Sequence, residues 1–307
     1  MKSIMYHYVQ DFNSKMQYFS YLNYNNFLKQ ILFFKKKFNF IDCKNIKSFS
    51  FNTDIKDKIF LTFDDGLLCH YDYVFKILRK YNLNAIFYIP TAPFSKEKIL
   101  DVHKIHLILG AYGGFKSCQI MDKYLDKEML DINLIEEYEK LTYKLQVNSD
   151  YVNKFKRTLN YYIKYEFREY FINKIFVYFF GNVEKDLLNK VYMSLDQIDE
   201  MYKAGMVIGS HGVNHKIMSR LSDSEFKKEI DDSFDLLEKY TDYKTFCYPY
   251  GGFNTFHSEI ENYLNKKSVL FSVNVESRDI SLDDLKTRKQ ALPRYDCNEF
   301  KYGQIST

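Results

Sequence analysis

Ile59-Phe60-Leu61-Thr62-Phe63-Asp64-Asp65-Gly66 is the stretch that decides the fold. A short apolar run stopped by Asp-Asp-Gly reads as a buried strand ending in a turn. Beyond it Val74, Ile77, Leu78 and Tyr81 recur at helical spacing across Tyr73–Tyr81, and Ala85–Ile89 is a second buried-type strand, ended by Pro90. Strand, helix, strand implies parallel pairing through a right-handed crossover, so the chain is of the α/β class.

The same rhythm extends in both directions. Upstream, Lys2–Val9 reads as a strand and Asn25–Lys37 as a helix with Phe27, Ile31 and Phe34 on one face. Downstream it resumes after residue 193. Ser194 with Gln197 matches a capping box, and Gly205 stops the helix behind it. Met206–Gly209 is a strand running into Ser210-His211. Ser222 with Glu225 is a second capping box, leading a helix that carries Phe226, Ile230, Leu237 and Tyr240. Thr245–Tyr248 is a strand ending at Pro249-Tyr250-Gly251-Gly252, Asn254 opens another helix, and Val269–Val275 and Ala291–Tyr295 are further strands. Between Thr91 and Met193 the rhythm stops. Residues 92–192 are charged and aromatic, Pro93 is their only proline, and Asp150–Phe180 reads as one or two long helices. We read the chain as a single domain, residues 1–307, carrying a helical insertion at 92–192.

Composition narrows the function classes. The 307 residues are 46% hydrophobic, enough for a sizeable core without staples. Lys plus Arg is 44 against 40 Asp plus Glu, interleaved along the chain. Lys35-Lys36-Lys37 therefore reads as a solvated helix end, and a nucleic-acid partner is not expected. Aromatics reach 18%, but Tyr and Phe occur everywhere, so their abundance marks no site. The five cysteines (Cys43, Cys69, Cys118, Cys247, Cys297) form no C-x-x-C pair and are odd in number, as expected of reduced thiols in a cytoplasmic protein. Met1–Val9 contains no apolar core of a secretory signal, and Ile175–Phe180, the most apolar stretch, is too short to span a bilayer, so no transmembrane segment is expected.

Polar residues cluster where strands end, which is where parallel α/β folds build their sites. Asp64-Asp65 offers two carboxylates that can take different jobs, one ligating a cation and the other free as a base; alone, the ordinary reading is an Asp-Gly turn. His211 and His215 lie at i, i+4, on one side of a helical turn, from which both imidazoles reach one ion; alone, they are incidental histidines near a helix start. Pro249, Tyr250 and Gly251 fix a turn whose backbone N–H groups suit an oxyanion, or form a plain loop. Arg294, in Leu292-Pro293-Arg294, can orient a carboxylate through a bidentate contact, or lie on the surface. Together, Asp65, His211 and His215 supply one carboxylate and two imidazoles and leave a position open for water, as in a catalytic zinc-type site.

Thr62-Phe63-Asp64-Asp65-Gly66, Ser210-His211 through His215, and Tyr248-Pro249-Tyr250-Gly251 resemble, in order, the first three motifs of the polysaccharide deacetylases, carbohydrate esterase family 4. The resemblance covers residues 1–92 and 193–300. It implies a distorted (β/α)7 barrel, here with a large helical insertion, and a metal-dependent hydrolase that removes an N-acetyl group from a sugar. By the same resemblance Asp64 is the general base, Asp65, His211 and His215 bind the metal, and Arg294 orients the base. The usual C-terminal His motif is absent. Ile4-Met5-Tyr6-His7-Tyr8-Val9 looks like the corresponding motif of a circularly permuted branch, whose general-acid His lies in an N-terminal strand, and assigns that role to His7. The implied cofactor is a divalent metal, zinc first, with cobalt, nickel or manganese as alternatives. The implied substrate is an N-acetylated sugar, nucleotide-linked, lipid-linked or an oligosaccharide, in cytoplasmic synthesis of a surface glycan. The rival readings are a glycan-binding protein that keeps the fold without catalysis, and an O-acetyl esterase. The insertion is expected to cap or border the sugar cleft. Asp101, His103 and His106 at its start suggest a rim or substrate contact, or a second metal site. Oligomeric state is not legible.

Overall fold

The computed structural model describes residues 1–46, 55–143 and 148–306, without the side chains of 136–138 and 141; residues 144–147 of the expected insertion lie outside the described residues. Its main sheet has eight strands: β1 Lys2–Tyr6, β2 Asn39–Phe40, β3 Lys58–Asp64, β4 Ile86–Ile89, β5 Val207–Ser210, β6 Thr245–Cys247, β7 Phe271–Val273 and β8 Tyr295–Asp296. Their order is β8-β1-β3-β4-β5-β6-β7, with β2 beside the start of β3. Every pairing is parallel. The segment leading into β8 also bridges the far edge, Leu292 pairing in parallel with Val273 of β7. The strands thus close on themselves as the expected (β/α) barrel, with helices Tyr24–Lys37, Leu195–Lys203, Asp223–Leu237 and Ser258–Lys266 between them.

The period of two along a strand sorts the side chains. Ile59, Leu61 and Phe63 of β3, with Phe87 and Ile89 of β4, pack outward against Phe27, Ile31, Phe34, Val74, Leu78 and Ile198 of the helices. Phe60, Ile86, Tyr88, Cys247, Phe271 and Leu292 fill the inside. Thr62 and Asp64 share the inward face of β3 with Phe60, so the alternation that buries the core also delivers the Asp64 carboxylate to the upper end of the barrel interior.

Both predicted capping boxes form, at Ser194/Gln197 and Ser222/Glu225. Several sequence expectations are corrected. The helix expected at Tyr73–Tyr81 starts earlier, as a π-helical turn His70–Phe75 running into Lys76–Lys80. Asn254 does not open a helix: Thr255 N–H and hydroxyl both return to the Gly252 carbonyl, and the helix begins at Ser258. The strand expected at Ala291–Tyr295 is reduced to Tyr295–Asp296, because Lys289–Ala291 turns as a 3₁₀ helix first.

Contacts divide the chain into two units, the barrel and a second unit of Phe12–Ser20 with Ile99–Leu187. The second unit is built on helices Asp101–Tyr124, Asn133–Leu141, Asp150–Arg157 and Tyr165–Phe180. Its apolar core includes Ile105, Ile108, Phe155, Leu159, Phe171 and Ile175, all buried. Charged groups are buried with partners. Arg168 pairs with Asp101 at 2.7 Å and donates to the Leu159 carbonyl at 2.9 Å, and Lys104 pairs with Glu184 at 2.8 Å. Among the described residues no helix is long and apolar enough to cross a membrane.

Candidate active site

Asp64 ends β3 inside the barrel and is 2% exposed. Arg294 grips it with both arms, Nη1 to Oδ1 at 2.8 Å and Nη2 to Oδ2 at 2.9 Å. The guanidinium is fixed in turn by donating to the Asn274 carbonyl at 2.8 Å and the Thr62 hydroxyl at 3.0 Å. The Cys247 thiol lies 3.5 Å from Asp64 Oδ2. Burial alone would push the Asp64 carboxyl up, but the charge and hydrogen bonds of Arg294, with His211 and His7 nearby, hold it below the usual range. Arg294 is therefore no surface arginine: it is 1% exposed, and it keeps a buried carboxylate ionised and oriented.

Asp65 turns the other way. Its φ is +83°, a left-handed conformation that a non-glycine residue rarely holds. This swings its carboxylate toward His211 and His215, whose Nε2 atoms lie 3.5 Å and 3.4 Å from Oδ1. These separations exceed a normal N–H···O hydrogen bond. Two donors each bound to one tetrahedral ion at about 2.0–2.1 Å stand roughly 3.4 Å apart, so the spacing matches ligands of a shared cation. The three donor atoms lie within 4.8 Å of one another and all three residues are buried. The Nδ1 of His211 donates to the Cys247 carbonyl at 2.7 Å, which leaves the Nε2 lone pair facing Asp65. Burial lowers the His211 pKa, favouring the neutral, ligating form. The donor set fits a divalent cation.

Asp64, His211 and Cys247 also approach one another closely enough to suggest a second ion position. The chemistry is against it. Burial pushes the Cys247 thiol far up, so it stays protonated, and the Arg294 guanidinium stands 3.1 Å from the same sulfur. Asp101, His103 and His106 do not form a metal group among the described residues; Asp101 is already paired with Arg168.

The histidine motif corrects the sequence reading. Residues 211–215 are a loop, with Gly212 at φ +73° and His215 at φ +53°. The two imidazoles meet because the backbone turns left-handed twice. Their rings stand 4.7 Å apart. The loop is held by Glu229, which the sequence reading missed. This buried carboxylate, on the helix Asp223–Leu237, accepts from the backbone N–H groups of Val213 at 3.0 Å and Asn214 at 2.7 Å, and from the Asn214 side chain.

Pro249-Tyr250-Gly251 forms the expected turn after β6. Tyr250 has φ +64° and its ring stands 5.0 Å from that of His215. Gly251 has φ +71°, and a side chain there would sit 2.6 Å from Val275, so the turn requires glycine. Asp65, His215 and Tyr250 are thus three strained non-glycine positions at one site, the usual place for stored backbone strain. His7 lies just beyond β1, with its side chain 39% exposed and Nε2 4.0 Å from Asp64 Oδ2. A pocket of about 270 Å³, lined by Pro93, Phe94, Asn189, Tyr192 and Asp196 among others, opens nearby in the barrel unit. Its wall is tied to the Asp65 loop, since Met193 N–H donates to the Gly66 carbonyl at 3.1 Å.

The profile of the polysaccharide deacetylase family matches residues 52–105 and 167–269, just over half of the chain, and the protein belongs to that family. Solved structures share its fold. The Streptococcus pyogenes deacetylase PplD, in complex with acetate, superposes with a TM-score of 0.58 at 15% identity, over 96% of this chain and 91% of that one. IcaB from Ammonifex degensii gives 0.52 at 12% identity, over 96% and 90%. The BpsB deacetylase domain from Bordetella bronchiseptica gives 0.52 at 12% identity, over 96% and 94%. At these identities the likeness is one of fold. No curated protein matches the chain by sequence.

Proposed function

We propose that the protein hydrolyses the N-acetyl group of a sugar with a divalent cation held by Asp65, His211 and His215. The observation that carries this reading is the division of labour between adjacent carboxylates. Asp64 is clamped by Arg294 and kept ionised, while Asp65 faces two imidazoles at ligand spacing. When bound, the cation supplies a Lewis acid for the acetyl carbonyl and makes water nucleophilic near neutral pH. Asp64 takes the proton of the attacking water, and Arg294 holds its carboxylate in line. The turn Pro249-Tyr250-Gly251 offers backbone N–H to the developing oxyanion. His7, on the more open side of Asp64, gives its proton to the departing amine.

Two imidazoles and a carboxylate favour zinc, with cobalt, nickel or manganese as workable substitutes. The substrate is an N-acetylated sugar on a nucleotide or lipid carrier, or an oligosaccharide. All five cysteines are unpaired, which supports a reducing compartment and cytoplasmic synthesis of a surface glycan. The first test is metal content by elemental analysis, for the wild type and for Asp65→Ala/His211→Ala, together with acetate release from N-acetylated sugars. We expect about one cation per chain, absent from the double variant along with activity. A wild type that takes up no metal after reconstitution with excess zinc would sink the reading and leave a glycan-binding protein.

A further inference from the structure

His70 serves no purpose in the scheme above, yet it is fully buried beneath it. Its ring packs edge-on to Phe63 at 5.5 Å and lies 5.8 Å from Phe87. Its Nε2 stands 2.8 Å from the backbone carbonyl of His7. A carbonyl only accepts, so Nε2 carries the proton and donates. The other nitrogen, Nδ1, is buried with no hydrogen-bond partner among the described residues. Burial drives the ring's pKa down to about 4, so it stays neutral and this one hydrogen bond is its polar contribution. An orphaned buried nitrogen is unfavourable, and a phenylalanine would fill the same aromatic slot without it. The imidazole also sits at the start of the π-helical turn His70–Phe75, an irregularity that often accompanies functional positions. His7 lies between the two short strand segments Lys2–Tyr6 and Val9–Gln10, outside both. Its carbonyl thus receives from a side chain what a strand residue would receive from its ladder.

We infer that His70 is a positioning residue for the general acid: by holding the His7 carbonyl it fixes the peptide from which the His7 imidazole projects toward Asp64. The inference rests on the reading of His7 as the proton donor to the leaving amine. An amine leaves only when protonated, whereas the aryloxide of an activated aryl acetate leaves without help. Loss of a well-placed acid therefore slows amide cleavage and spares the ester, while general damage to the fold or the metal site slows both.

The experiment compares acetate release from an N-acetylglucosamine oligomer with hydrolysis of p-nitrophenyl acetate, for His7→Ala, His70→Phe, His70→Asn and His70→Gln, each loaded with zinc. We expect His70→Phe to lose about 10²-fold in kcat on the amide, the scale of a misplaced catalytic group, with KM and zinc content unchanged and ester hydrolysis within a factor of a few. His70→Gln, whose amide nitrogen reaches the position of Nε2, restores most of the amide activity. His70→Asn, too short to reach the carbonyl, does not, and it replaces His70→Phe if that variant fails to fold. Equal losses on both substrates, or no loss on either, would overturn the inference while His7→Ala still separates amide from ester. Absence of that separation in His7→Ala removes the general-acid reading itself, and His70's role with it.

Discussion

The barrel and the helical unit both bury charge, and they use it differently. In the helical unit Arg168 meets Asp101 at 2.7 Å and turns its remaining donors to the Leu159 carbonyl and the Asn160 side chain, at 2.9 Å and 3.2 Å. A buried guanidinium with its donors so distributed is a fastening. In the barrel, Arg294 is matched just as fully to Asp64, Thr62 and Asn274, but the carboxylate it grips is followed in the chain by Asp65, one of three residues whose donor atoms lie within 4.8 Å of one another. Under the proposed function the barrel's pair holds the base in line, whereas the helical unit's pair joins two helices. Burial and partner distance alone do not tell these apart. The arrangement of the groups beside the pair does.

The sharpest way to break this contrast is to remove the charge from each pair in turn. Asp64→Asn keeps the shape of the side chain. We expect acetate release to fall by about 10²–10⁴-fold, the usual contribution of a positioned base, while zinc stoichiometry is retained because Asp65, His211 and His215 are intact. A fully active Asp64→Asn would show that the base lies elsewhere. In the helical unit, Arg168→Met leaves Asp101 facing an apolar side chain. We expect a loss of about 3–5 kcal/mol in denaturant unfolding, the scale for breaking a buried pair, with kcat per folded molecule unchanged. A large kcat defect without destabilisation would assign the helical pair to the chemistry and erase the difference between the two regions.

The strand ends were readable from sequence because hydrophobic period and turn residues are local signals. Asp64 ends a strand and Asp65, His211, His215 and Tyr250 follow strands, and six of the seven expected strands lie near where their apolar runs placed them. What the local signals did not carry is how the loops after those strands turn. Spacing i, i+4 placed His211 and His215 on a helix, but the same spacing arises in a loop with Gly212 and His215 left-handed. The partners that hold the site are distant in the chain. Arg294 stands 230 residues from Asp64, Glu229 stands 16 from Val213, and His70 stands 63 from His7. Arg294 was reachable through a family motif. Glu229 looks like any helical Glu, and the histidine after the Asp-Asp-Gly turn has no pattern that separates it from a core histidine. Cys247 was noted only as a thiol, since nothing in Phe246-Cys247-Tyr248 announces a contact with Asp64 and Arg294.

A subtler comparison uses pH. His70 has its pKa lowered by burial from 6.5 to about 4. Between these values the unfolded chain binds a proton at this position and the folded barrel does not. Stability is therefore complete above pH 6.5, falls as pH drops toward 4, and then levels off with respect to this group. The full span corresponds to about 3 kcal/mol. Urea unfolding of the metal-free protein between pH 7 and pH 4 should show this slope in the wild type and a shallower one in His70→Gln. Equal slopes would mean that the buried ring is protonated in the folded state as well, and the single-donor account of His70 would fail.

The smallest expected effect concerns Glu229, the barrel residue that most resembles the fastenings of the helical unit. Like Arg168 it is buried and satisfies backbone groups, here the N–H of Val213 and of Asn214. Unlike Arg168, what it fastens is the loop bearing His211 and His215. Glu229→Gln keeps one carbonyl oxygen for those N–H groups but loses the charge that makes the bonds strong. If the loop's geometry sets the cation's affinity, zinc binding weakens by about 10–100-fold, the usual loss when support for metal ligands is removed, and kcat at saturating zinc stays close to wild type. If Glu229 is only a fastening, the melting temperature falls and zinc affinity does not. Competition against a chelator of known affinity, read beside a thermal melt, separates the two. The first outcome would place in one residue what the two regions otherwise keep apart, a buried charge that both holds the fold and tunes the site.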